Sequence, residues 1–123
     1  MPATTTITML PTTTHGSVTG NYLGANADFV SDEFKGDGYY GFADGVHTAQ
    51  TRTTSFVGII TLQGSLATDP ASTDWVDIST VVGDGSTAIT NSFLTNFTGN
   101  YVWIRASVTS FSAGTINSVL LAH

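Results

Sequence analysis

The chain has no cysteine, which excludes disulfides, thiolate-bound zinc and thiol catalysis together. Basic residues are almost as scarce: three Lys and Arg stand against nine Asp and Glu, a formal charge of −6. That balance lacks the positive footprint that nucleic-acid phosphates or anionic lipid surfaces require, so neither is expected as a partner. No apolar run approaches the ~18 residues of a membrane-spanning helix. The opening MPATTTITMLPTTT carries no basic stretch and no long apolar one, so a secretory signal is not expected there. Charged residues make up only 10% of the chain, against about 25% in an average soluble domain.

Small hydroxyls take the place of charges, with 22 Thr and 12 Ser among 123 residues. Thr, Val, Ile and the aromatics favour strands, and the strong helix formers Glu, Lys, Arg and Met are nearly absent. The 13 glycines serve turns. The expectation is an all-β fold in one domain: a two-sheet antiparallel β-sandwich, jelly-roll-like, with an extended N-terminal arm. Residues 1–14 are that arm or an edge strand, and residues 15–123 are the sandwich. Within the arm, Thr4, Thr6, Ile7 and Met9 are candidate interface residues, because an extended Thr-rich segment offers amides and carbonyls to a neighbouring sheet.

Residues 15–50 are the least regular, and KGDGYYGFADG reads as a loop or short hairpin carrying Tyr39, Tyr40 and Phe42. From Thr53 the alternation sharpens. SFVGIITLQGSL places Phe56, Ile60, Leu62 and Leu66 on one face and Val57, Ile59, Thr61, Gln63 and Ser65 on the other; both faces begin apolar, so the first half is expected to be covered on two sides. A polar loop with Asp69-Pro70 leads to the strand WVDISTVV, then a turn at 82–86, a strand TAITNSFL and a turn TNFTGN. YVWIRASV sets Val102, Ile104, Ala106 and Val108 against Tyr101, Trp103, Arg105 and Ser107. FSAG reads as a turn before the last strand, TINSVLLAH, which puts Ile116 on one face with Leu120.

Chemistry is sparse. The three His residues, at 15, 47 and 123, show no metal-ligand spacing. There is no G-x-S-x-G, and no Lys follows the glycines of GDGS. Asp32, Asp37 and Asp44 in the Gly-rich stretch are weak calcium candidates; their spacing matches no EF-hand. No catalytic residue, enzymatic activity or cofactor is expected. Tyr39, Tyr40 and Phe42 are suited to stacking on a sugar ring or filling a neighbour's pocket. Trp103 becomes an interface candidate if its face is not the core. Arg105 and Asp77 each follow a Trp by two positions and are placed to pair across strands.

Several of these segments together resemble a module of tailed-bacteriophage virion structural proteins. They are Gln63 to Leu66, Asp69-Pro70, Trp75, Asn96 to Asn100, Trp103 to Ala106 and Gly114 to Ile116, and the resemblance covers about residues 56–122. The segment is also similar, more weakly, to discoidin-like and carbohydrate-binding jelly rolls. The phage resemblance implies a non-enzymatic virion protein, most simply a capsid decoration (cement) protein that binds the major capsid protein or other virion proteins. It implies a homo-oligomer, with a trimer favoured. The alternatives it leaves open are a neck, tail or baseplate component, or a β-sandwich that binds glycan.

Overall fold

The computed structural model describes residues 6–19, 22–24, 28–40, 45–83 and 85–122. The elements are β1 (Thr6–Leu10), β2 (Thr13–Thr14), β3 (Phe29–Val30), β4 (Phe34–Lys35), α1 (Asp37–Tyr40), β5 (Val46–Ser65), a 3₁₀ turn (Ser72–Asp74), β6 (Val76–Val82), β7 (Ile89–Thr98) and β8 (Trp103–Ala122). The fold is all-β, as composition implies. The strands do not form two separate sheets, however. All eight belong to one antiparallel hydrogen-bonded sheet.

Two 20-residue strands make its spine, for β5 and β8 pair from Thr48↔Ala122 to Ser65↔Trp103. The other edge of β8 carries β1, β2, β3 and β4. The other edge of β5 carries β7 and then β6. The sheet thus has two halves. The near half holds β1, β2 and β7 around the N-terminal part of β5 and the C-terminal part of β8. The far half holds β3, β4 and β6 around the remainder.

FSAG is not a turn, which is why one sheet replaces two. Phe111 is 1% exposed, and its ring meets those of Tyr22, Phe29 and Phe56 at 5.1, 6.0 and 5.5 Å. Burying that ring keeps 110–114 inside β8. The strand bends instead of reversing, through Ser110 at φ 55° and Gly114 at φ 86°. β5 bends beside it at Ser55, φ 50°. The β5–β8 register slips by one residue between Arg52 and Thr53 and between Thr54 and Val57, and by two between Val57 and Ile59. Each one-residue slip turns side chains to the opposite face. β5 therefore buries His47, Ala49, Thr51 and Thr53 before the bend, and Phe56, Ile60 and Leu62 after it. β8 buries Ile104, Ala106 and Val108, then Phe111, Ile116, Val119 and Leu121. Ile116 thus shares its face with Val119 and Leu121, not with Leu120. One core cluster draws on both halves.

Residues 6–14 are not a free arm. β1 pairs along β8 from Thr6↔Ala122 to Leu10↔Val119, and β2 adds Thr13↔Ile116. Met9, Leu10 and Thr13 are buried, while Thr6 is exposed and Ile7 half-buried. Thr4 lies outside the described residues. In the irregular segment, the stretch expected as a loop or short hairpin contains the four-residue helix α1. Gly36 and Gly38 let its backbone come against Asn100 and Tyr101, and their amides donate to the Val102 and Tyr101 carbonyls, each at 3.0 Å.

Candidate functional site: an outer face and its apolar end

Alternation along β8 sends Ile104 and Ala106 into the core and Trp103 and Arg105 to the outer face of the far half. That face is not the core, and Trp103 is half-buried on it. Its indole Nε1 donates to the Thr68 carbonyl at 3.0 Å, fastening the Asp-Pro loop to the sheet. The Tyr39 ring leans on Trp103 at 5.3 Å and 58°, and Lys35 Nζ sits 4.5 Å from the Tyr39 centroid. Register explains the grouping: β4 places Lys35 opposite Trp103.

Arg105, Gln63 and Asp77 occupy one cross-strand row. Arg105 Nε donates to Gln63 Oε1 at 2.8 Å, and Gln63 Nε2 donates to Asp77 Oδ1 at 2.9 Å. The link between Arg105 and Asp77 expected from the two Trp-x-Arg and Trp-x-Asp spacings is therefore relayed through Gln63. The Arg105 guanidinium lies 4.3 Å over the Trp75 ring. Its burial lowers its pKa from the ordinary arginine value, and the Glu33 carboxylate works in the opposite direction. The guanidinium stays charged and holds two strands and an indole together.

At the end of this half lies an open apolar pocket of about 330 Å³ lined by Ser65, Leu66, Ala67, Asp74, Val76 and Tyr101. Alternation had placed Leu66 on one face with Phe56, Ile60 and Leu62. Here β5 ends at Ser65, and Leu66 is 71% exposed on the pocket wall. The Tyr101 ring rests on Gly64 and Gly99, where any side chain would collide with it.

Asp32 is exposed and Asp37 is buried, while Asp44 lies outside the described residues. Among the described residues there is no group of three or more His, Asp or Glu placed to hold a metal ion. Asp37 instead meets His47, with its carboxylate Oδ1 3.9 Å from Nε2. The Asp37 amide donates to His47 Nε2 at 3.3 Å, so Nδ1 carries the proton and donates to the Gly45 carbonyl at 2.9 Å. His47 also stacks flat on Phe97, at 4.8 Å and 2°. It is wholly buried and structural. Its partners are set by how α1 packs, which no local spacing reveals. His15 is exposed and edge-on to Phe111, and His123 lies outside the described residues. Of the proposed aromatic platform, Tyr39 is 47% exposed. Phe42 and the Tyr40 side chain lie outside the described residues.

Compared with known proteins, the chain matches no family model, no curated protein and no solved structure.

Proposed function

We propose that this chain is a non-enzymatic structural protein of a tailed-phage virion, most simply a head decoration protein that binds capsid subunits. One observation carries the reading. Four of the residues on which the resemblance rests, Gln63, Trp75, Trp103 and Arg105, far apart in sequence, meet on one outer face. Gln63 bonds Arg105, Arg105 covers Trp75, and Trp103 holds the loop that contains Asp69 and Pro70. Motif residues that lock one another in place make a module whose face has a fixed shape, as a docking surface needs. Beside it, Leu66 and Val76 leave an apolar pocket open for a partner's side chain. The finer fold in this reading is a β-sandwich whose two layers are the halves of the bent sheet.

Co-sedimentation with decoration-free heads of the encoding phage tests the proposal. Saturable pelleting with heads is expected, weakened at least tenfold by Leu66→Asp. Protein left in the supernatant at every head concentration overturns it. A second reading, glycan binding, is favoured by the exposed Tyr39 ring against Trp103. A glycan array reads it directly: silence supports the capsid reading, and binding lost in Tyr39→Ala replaces it.

A further inference from the structure

The nine acidic residues all fall within residues 28–44 and 69–84. The strands of the near half contain none. Their one formal charge is Arg52 on β5, directly opposite Ser92 of β7. A chain of net charge −6 therefore has one region where a second copy approaches without like charges meeting.

That region ends in β7, ITNSFLTNFT, whose only described strand partner is β5. Natural edge strands are guarded by Lys, Pro, bulges or brevity. β7 has ten residues, no charge and no Pro, and its register with β5 is unbroken from Val46↔Thr98 to Thr53↔Asn91. The Ser92 amide donates to its neighbour's Asn91 Oδ1 at 2.8 Å, so it points away from β5. The same alternation turns the Leu94 and Asn96 amides away from β5, to an edge with no partner among the described strands. Leu94 is 72% exposed and walls a shallow hollow of about 120 Å³ with Gln50 and Leu120.

The geometry points to antiparallel pairing of β7 with β7 of a second copy, about a two-fold axis through Leu94. A two-fold normal to the sheet keeps each face continuous and sets Leu94 opposite Leu94 of the second copy. Ser92 then faces Asn96 of the second copy, and the reverse. The outward amides and carbonyls of Leu94 bond reciprocally, and two exposed leucines cover each other. This pairing gives a dimer, whereas the phage resemblance implies a trimer. It is a property of the free chain and does not rest on the capsid reading.

Light scattering of the full chain over a concentration series reads the state. A mass about twice 12.8 kDa is expected, and Leu94→Lys, which opposes two cations on the axis, restores the monomer without changing the circular dichroism. Oxidative cross-linking reads the register, since a hydrogen-bonded antiparallel pair has Cα atoms about 5.5 Å apart, within disulfide reach. The chain has no cysteine, so Leu94→Cys is expected to give one covalent dimer. Ser92→Cys or Asn96→Cys alone is expected to give none, and a mixture of the two to cross-link. A monomer at every concentration, a trimer, or a dimer that Leu94→Lys leaves intact overturns the inference.

Discussion

At Gly114 the backbone φ is +86°, and a Cβ there would strike the Ser55 carbonyl where the bend of β5 lies against that of β8. Gly114→Ala is expected to carry both the left-handed penalty of ~1–2 kcal/mol and an overpacking penalty of ~1–3 kcal/mol. Gly85 is the comparison, at φ +84° with nothing within 3.4 Å of a Cβ. Gly85→Ala should show the first term alone, and urea midpoints of the two variants give the difference. His47 allows a second test. His47→Phe keeps the stack on Phe97 but takes the His47 acceptor from the Asp37 amide, while the Gly45 carbonyl loses Nδ1–H and still accepts from the Gly99 amide at 2.9 Å. The expected loss is ~1–3 kcal/mol, read as a lowered thermal midpoint. At this scale the sequence was legible where alternation decides, as at Ile104 and Ala106 against Trp103 and Arg105. It was illegible at His47 and Leu66, whose burial depends on a distant helix and on where a strand stops.

Among the elements, β1 takes the edge-strand form that was one of the two readings of residues 1–14. An arm held only by a neighbour would come away without harm. Here residues 6–14 close the edge of β8 and put Met9 and Leu10 into the core. Deleting residues 1–14 should therefore abolish the cooperative unfolding transition. Leu10→Ala should lower stability by ~2–5 kcal/mol in guanidinium titration. β6 was legible to within a residue, for its apolar and β-branched run has polar loops on both sides. β7 runs four residues into the expected turn, to Thr98, because Asn96, Phe97 and Thr98 pair with Thr48, His47 and Val46. The division of β8 failed for a related reason. Ser-Ala-Gly is good turn chemistry, yet Phe111 has nowhere better to go than the core, and burial outweighs local preference.

For the whole molecule, composition alone disclosed an all-β chain, because hydroxyl and β-branched residues had displaced nearly every helix former. It could not disclose one sheet in place of two, since that rests on two serines at positive φ. The spine has a further consequence, for synthesis. Among the described strands, β1, β2, β3 and β4 have no partner but β8, which is made after all of them. A ribosome that has reached Val102 has released only strands that β5, β6 and β7 can organise, and the emerging N-terminal segments wait unpaired. Folding to the native state is then a late event, gated by the last strand to emerge. A fragment of residues 1–102 should be protease-sensitive, and adding a peptide of residues 103–122 should restore its resistance. The emerging chain carries those unpaired N-terminal strands until β8 arrives, and its net charge of −6 and abundant hydroxyls become the means of staying soluble.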